Sequence, residues 1–509
     1  MPGRIEFEFT TQNKKSRVTG TRSGPMCLLV MGDFSGRGLN GSSKETAPLS
    51  QRRLHRVDLD NLDQVMGRIA AELSLDLGEN LTATVTFAGI DDFHPDSLYR
   101  RLPLFDELRD LRLRLRNRDS YREAAEQLRT MLSLQTVTAM GDSTSPVGET
   151  RTIENDAATL ERLLGKPAGG GSQTEKTARS AVARLIGEAV KAHIVPEADS
   201  AQQVYFDAAD QALSDLMRKL VHHPNFQALE AQWRSVEFLT RRLELDEDLQ
   251  LWLLDVSKAE LRNDISQAGT ELEQSELYRL LIEQGVQVTG TNPWSLIVGQ
   301  YGFDHSEDDI RLLTALGNIA SHAGGPFLAQ ASPRLLGCES LVETPNPRDW
   351  TAIDPDGQQR WETLRTSPVA SWIGLALPRL LLRLPYGPDT DEIDSFEFQE
   401  VMDASDHQRF LWGNPAIGCA LLIGQAFTER GWQMTPGDIL DIGGLPAYSY
   451  SVNGEQNILP CAEAYITMNT EDRILDKGLM PMVSLRNSNT VRLLRFQSIA
   501  NPLQALANV

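Results

Sequence analysis

Two rhythms of apolar and polar positions run along this chain. Arg4 to Thr10, RIEFEFT, sets Ile5, Phe7 and Phe9 against Glu6 and Glu8, a period of two that predicts a half-buried strand. The Lys/Arg/Gly-rich stretch behind it has no core of its own, so this arm must pair elsewhere in the chain or in another subunit. Met26 to Phe34, MCLLVMGDF, reads as a buried strand, and Gly36 to Ser50 as a polar, mobile surface loop. Val57 to Ala71 then takes the helical period, with Leu62, Val65, Met66 and Ile69 on one face. Leu81 to Phe87 alternates again as a strand, and Phe93 to Asp96 makes a turn. Leu104 to Leu134 reads as a long helix, apolar at Leu104, Leu108, Leu111 and Leu115. Its other side carries Arg109, Arg112, Arg114, Arg116 and Arg118, a solvated or interface face.

The pattern fades from Gln135 to Ala158, a Thr/Ser/Gly/Asp-rich linker. A short amphipathic helix comes next at Thr159 to Gly165, then a flexible tether, KPAGGGSQT. The strongest helical signal is Val221 to Leu239. Phe226, Leu229, Trp233, Val236 and Leu239 share one face, Gln227, Glu230, Arg234 and Glu237 the other, and Pro224 stands at the start, where a missing N–H costs nothing. Beyond it strands and helices alternate: LWLLDVSKAEL as strand then helix, SELYRLLIEQ as helix, NPWSLIVGQYGFDH as a buried strand with a turn. The expected class is α/β (α+β mixed), with mixed sheets flanked by helices and an extended N-terminal strand arm. Two units are expected, 1–134 and 178–509, joined by a linker over 135–177 that carries the helix at 159–165.

Composition narrows the function. The 509 residues, 41% hydrophobic and 23% charged, describe a globular protein, and the formal charge of −21 argues against nucleic acid and anionic membrane surfaces. Cys27, Cys338, Cys419 and Cys461 are widely spaced, which reads as reduced buried thiols rather than zinc or a disulfide framework. The N-terminus lacks an apolar signal core, and no apolar run reaches about 18 residues, so a cytoplasmic protein is expected.

Candidate chemistry is sparse. Gly36 to Gly41, GRGLNG, matches G-x-G-x-x-G after a strand, with Asp58 and Asp60 in the place of a ribose-binding acid. The next residues, SSKETAP, have no helical period to hold a pyrophosphate, and Ser42 stands where a P-loop needs lysine. His222-His223 lack further ligands at metal spacing and read as a helix start. His322 has no nucleophile motif near it. Asp389 to Asp394 lacks the D-x-D-x-D-G calcium loop and reads as a solvated loop. Trp412 and Trp432 read as core anchors. No catalytic residue, metal or cofactor is expected, and no enzymatic activity.

A resemblance gives these elements a purpose. HPNFQALEAQWRSVEFL resembles the signature of the large subunit of the type VI secretion contractile sheath, roughly HPxFQxLExxWRGLxxL. MGDFSG, DLDNLDQVMGRI, LTATVTFAGIDDFHPDSLYRRLP and the Arg-rich helix resemble, in the same order, the small subunit of that sheath. The resemblance implies a natural fusion, small-subunit-like to about residue 135 and large-subunit-like from about 155. It implies a structural subunit that polymerises by strand exchange around inner-tube hexamers, meets a baseplate, and is disassembled by a Clp-type AAA+ unfoldase. Ile5, Phe7 and Phe9 match the exchanged arm by position. Leu160, Leu163 and Leu164 match the unfoldase-contact helix, and Phe226, Leu229 and Trp233 the core anchor. The family's large subunit continues beyond the point matching Val509. That difference raises an alternative expectation, a sheath-like accessory or end cap that regulates assembly.

Overall fold

The computed structural model describes residues 24–41, 48–78, 81–117, 119–127, 202–286, 292–452 and 455–508. The expected arm with Ile5, Phe7 and Phe9, and the short helix with Leu160, Leu163 and Leu164, lie outside the described residues, as does the linker over 135–177.

The apolar run at Met26–Gly32 forms β1, every residue of it buried. After it come β2 (His55–Val57), α1 (Leu62–Ile69), β3 (Ala71–Asp76), β4 (Thr82–Phe87), α2 (Pro95–Arg101) and α3 (Asp106–Arg116). The rest of the chain opens on two helices, α4 (Gln202–Val221) and α5 (Pro224–Arg242), and then β5 (Leu249–Asp255). It continues as α6 (Lys258–Ala268), a π-helical segment Arg279–Val286, β6 (Leu296–Phe303), α7 (Glu307–Ala323), β7 (Phe327–Ala331) and α8 (Pro355–Arg365). The last elements are β8 (Ile373–Leu377), β9 (Leu380–Leu381), β10 (Trp412–Gly413), α9 (Pro415–Arg430), β11 (Asp441–Ile442), β12 (Ser449–Val452), β13 (Glu455–Ile458), α10 (Met468–Asp476), β14 (Met480–Ser484) and β15 (Val491–Leu493).

Nine of these strands form one mixed sheet in the order β11-β15-β14-β8-β7-β6-β1-β5-β2. β1 lies inside it, parallel to β5 with Met26 opposite Leu249 through Gly32 opposite Asp255, and parallel to β6 with Leu28 opposite Leu296. Successive side chains of a strand point to opposite faces. Met26, Leu28 and Val30 therefore enter one core with α5 and α9, while Cys27, Leu29 and Met31 enter another with α6, α7 and α8. A strand buried on both faces cannot show alternation, which is why MCLLVMG reads as a continuous apolar run. The architecture is mixed α/β, a sheet flanked by helices.

Several local expectations shift. The helix expected over 57–71 is shorter: Val57 ends the edge strand β2, and α1 closes at Ala70, which takes a left-handed conformation (φ 57°). Glycine or asparagine usually marks such a cap; with alanine there the end is silent, and the strand β3 behind it goes unread. The long helix expected from Leu104 breaks at Asn117, whose backbone turns extended (φ −89°, ψ 125°). The loop after β1, expected to be free over the surface, is instead held to the protein through residue 41 by hydrogen bonds to Asp33, Asp255 and β3.

Candidate functional site at the seam between the two segments

The N-terminal segment, 24–127, meets the remainder through buried aromatic rings and a set of polar contacts. The seam begins with α5. His223 caps this helix, its Nδ1 accepting from the Asn225 amide at 3.2 Å, with Pro224 as first residue. The apolar stripe then faces the N-terminal segment. Trp233, fully buried, donates its indole N–H to the Phe34 carbonyl at 2.9 Å and meets the Phe34 ring at 5.1 Å. Phe226, also fully buried, stands edge-on to Phe87 (5.8 Å) and Phe93 (5.6 Å), which stack on each other at 4.3 Å. Leu229 is fully buried and approaches Gly36. The three positions expected as a core anchor thus converge on side chains and backbone of the other segment.

The loop after β1 lies across the carboxyl ends of β1 and β5, where α/β proteins commonly hold ligands. Here the protein's own carboxylates take the amides that would cradle a phosphate. The Ser35 N–H donates to Asp255 at 2.9 Å and the Leu39 N–H to Asp33 at 3.0 Å. Gly36 has φ +75°, and a Cβ on Gly38 would stand 2.7 Å from that of Ser257, so the glycines permit close packing rather than ligand approach. Asn40 bridges the loop to β3 through the Glu72 carbonyl and the Ser74 amide, both at 2.8 Å. Arg37 pairs with Asp255 at 2.9 Å, and Arg52 reaches Glu260 and, at 2.8 Å, the Asp255 carbonyl.

Three carboxylates face two guanidiniums in this cluster, and their environments separate them. Burial, with the charge of Asp255 beside it, pushes Asp33 up to about 6, and its Oδ1 has no hydrogen-bond partner among the described residues. Burial raises Asp255 as well, against the pull of Arg37. Burial also works against ionised Glu260, but the hydrogen bond from Arg52 and that from the Ser257 amide outweigh it and hold the group to about 2.

A second contact comes from the long connection 382–411 between β9 and β10. Asp96 of α2 accepts the backbone amides of Asp394 (3.1 Å) and Ser395 (3.0 Å), and Arg112 of α3 bridges Asp210 and the Ser395 carbonyl, both at 2.6 Å. The acids Asp389, Asp391, Glu392 and Asp394 are exposed, as expected of a solvated loop, but Ile393 among them and Phe396 and Phe398 just beyond are buried. The loop is fastened by Arg383. Its guanidinium holds Glu230 (2.7 and 3.1 Å) and Glu400 (2.7 and 3.1 Å), carboxylates with no more than 1% of their side chains exposed. The Tyr386 amide adds a bond to Glu400 at 2.8 Å, and His222 stands 3.5 Å away. Burial opposes the charge on Glu400, yet Arg383 and His222 bring it to about 2.

The Arg-rich helix is largely turned to internal use: besides Arg112, Arg109 bonds the Tyr99 carbonyl and Asp106, and Arg114 reaches Gln127 at 2.8 Å. Trp412 is buried with its indole on the His407 carbonyl at 2.7 Å, while half-buried Trp432 donates to the Gly24 carbonyl at 2.6 Å. Sequence reasoning missed Arg383, Glu400 and Asp96, and put Glu230 on the polar face of its helix; only the pairing of two acids with Arg383, and of Asp96 with two backbone amides, identifies them. Among the described residues no group of His, Cys, Asp and Glu could hold a metal, and no helix is long and apolar enough to cross a membrane. The arrangement is suited to fastening one part of a chain to another.

The two segments match two different family models. The VipB tail sheath N-terminal domain family matches residues 204–500, and the VipA family of the type VI secretion system matches residues 2–140. Over 303 residues the chain is 32% identical to the type VI secretion system sheath protein TssC1 of Pseudomonas aeruginosa, an alignment covering 58% of this chain and 61% of that protein. The two matches divide at the interval between α3 and α4, so the seam joins a VipA-type to a VipB-type segment. The chain belongs to the type VI secretion tail sheath family, with small- and large-subunit parts in one polypeptide.

Proposed function

We propose that this chain is a structural protomer of a type VI secretion-type contractile sheath, polymerising by strand exchange between copies around an inner tube. The observation that carries this reading is β1, a strand of the VipA-type segment enclosed between β5 and β6 of the VipB-type segment. A protomer built in this way has its small and large parts in a fixed one-to-one ratio and transmits force through a shared sheet rather than a peripheral contact. Its role is mechanical rather than catalytic, in the cytoplasm, with further copies of itself as first partners.

In this reading Ile5, Phe7 and Phe9 are the apolar side of the donated arm, which adds a strand to a neighbouring copy by backbone pairing. Leu160, Leu163 and Leu164 offer an apolar stripe to a Clp-type unfoldase, and inner-tube hexamers and a baseplate complete the partners. The test is negative-stain microscopy of the purified chain, alone and with inner-tube protein, beside a variant lacking residues 1–10. Long striated tubules that vanish in the deletion are expected. Tubules that persist in the deletion sink strand exchange; discrete rings or decorated tube ends sink the protomer role and mark an end cap instead.

A further inference from the structure

We propose that Met402 is an oxidation site, and that its sulfoxide ties the connection 382–411 more firmly to α4. The described methionines are buried in the cores except Met402 and Met468, which are 68% and 79% exposed. Oxidation of a methionine depends on access to its sulfur, so these two are the described sites that an oxidant meets first.

Their surroundings differ. Met468 opens α10, and its side chain has no hydrogen-bond partner among the described residues. Met402 lines a cavity of about 490 Å³ with Leu216, Arg218, Lys219 and Arg409, and its sulfur accepts from Nη2 of Arg218 at 3.5 Å. Arg218 already joins α4 to the connection. Its Nε donates to the Gln399 carbonyl at 2.8 Å, its Nη1 to Asp215 at 2.7 Å, and its guanidinium stands 5.7 Å over the Phe398 ring. Burial works against the charge on Arg218, with Asp215 as the counterweight. A stronger acceptor at the third nitrogen therefore counts for more here than on an open surface.

A thioether is a weak acceptor, whereas the sulfoxide is polar and carries an oxygen that accepts well. With hydrogen peroxide as the oxidant, a sulfur lone pair takes one peroxide oxygen as the O–O bond breaks. The proton on that oxygen passes to the departing hydroxide, which leaves as water. The sulfur is oxidised by two electrons and the peroxide reduced by two. The new oxygen stands beside Arg218 Nη2, where a charge-assisted bond replaces a weak one. In a core the same oxidation disrupts packing. Met402 lies outside the cores, so the polar oxygen displaces no buried contact.

The experiment treats the full chain with hydrogen peroxide, maps oxidised methionines by mass spectrometry and follows hydrogen exchange across 396–411. Wild type is compared with Met402→Leu, which lacks the sulfur but keeps every other methionine, and with Met402→Gln, which puts a carbonyl on an unbranched stem. Met402 should be oxidised well ahead of the buried Met217. Exchange across 396–411 should then slow about threefold to tenfold in treated wild type, and to a similar extent in untreated Met402→Gln. Treated Met402→Leu, in which Met468 is still oxidised, should exchange there as it did before treatment. Oxidation of Met402 no faster than that of Met217 overturns the site. Unchanged or faster exchange in treated wild type overturns the tightening, and equal slowing in treated Met402→Leu assigns the effect to another methionine and overturns the proposal.

Discussion

At the signature helix the two segments are held together by packing, whereas the connection 382–411 is fastened to its own segment by charge and reaches the N-terminal one through Asp96, Arg112 and the Tyr99–Phe396 contact. Trp233, Phe226 and Leu229 fill an aromatic pocket made with Phe34, Phe87 and Phe93, and the one polar link within it is a neutral hydrogen bond. On the connection the anchoring group is a guanidinium between two buried carboxylates, and the grip on the N-terminal segment is a carboxylate taking two backbone amides. The difference is one of tolerance. An apolar joint loses roughly what it stops burying, while a buried ionic joint fails through the unpaired charge left behind.

The largest expected effect therefore belongs to Arg383. Arg383→Met takes from Glu230 and Glu400 their shared bidentate partner, leaving Arg234 at 3.4 Å from Glu230 and His222 at 3.5 Å from Glu400, and should lower unfolding stability by about 3 kcal/mol. Replacing both acids by glutamine in the same chain should return most of that loss, since the cost is the stranded charge rather than a missing attraction. Denaturant melts of the three-residue set decide it. A loss below about 1 kcal/mol for the single change would mean that this joint is not fastened by charge.

A smaller effect is expected at the packed joint. Trp233→Phe keeps an aromatic ring against Phe34 but leaves the Phe34 carbonyl without its donor, a cost of about 2 kcal/mol. The same melts measure it. Hydrogen exchange at β1 amides should rise in this variant, whereas Arg383→Met should loosen the connection 382–411 first. Equal loosening of both regions in both variants would show that the two joints are one cooperative unit and would collapse the contrast.

This contrast also explains what was legible in the chain. Phe226, Leu229 and Trp233 stand at helical spacing, so one face of α5 announces that it docks on something apolar. β1 is legible as a strand buried on both faces from its unbroken apolar run. Its partners β5 and β6 lie far along the chain, and no local pattern encodes which strands pair. The ionic joint is hidden for a different reason: Arg383, Glu230 and Glu400 each look like ordinary surface charges, and burial is decided by the path of the chain around them. The same holds for GRGLNG, a phosphate-binding pattern whose Leu39 amide goes to Asp33, as the Ser35 amide just before it goes to Asp255. Ile5 to Phe9 alternates in the sequence as a strand would and lies outside the described residues, so it is left to the assembly experiments.

The smallest effect sharpens the comparison by pH, because a carboxylate in each region is displaced in the opposite direction. Glu400, held at about 2 by Arg383, contributes stability that is present above the ordinary glutamate range and is lost only as pH falls through about 2. Asp33, raised to about 6 mainly by burial, behaves inversely. Its protonated form fits the fold better, so its contribution is full below the ordinary aspartate range and is lost as pH rises through about 6. Between pH 7 and 5 the loop after β1 should therefore tighten while the Arg383 joint does not change. Asp33→Asn keeps an acceptor for the Leu39 amide and removes the charge, so at pH 7 it should stabilise the chain by about 1 kcal/mol. That advantage should shrink as the pH is lowered through about 6 toward the ordinary aspartate range. Melts of the two chains across this window check the sign, and an Asp33→Asn chain no more stable than wild type at pH 7 would show that Asp33 is compensated in the fold.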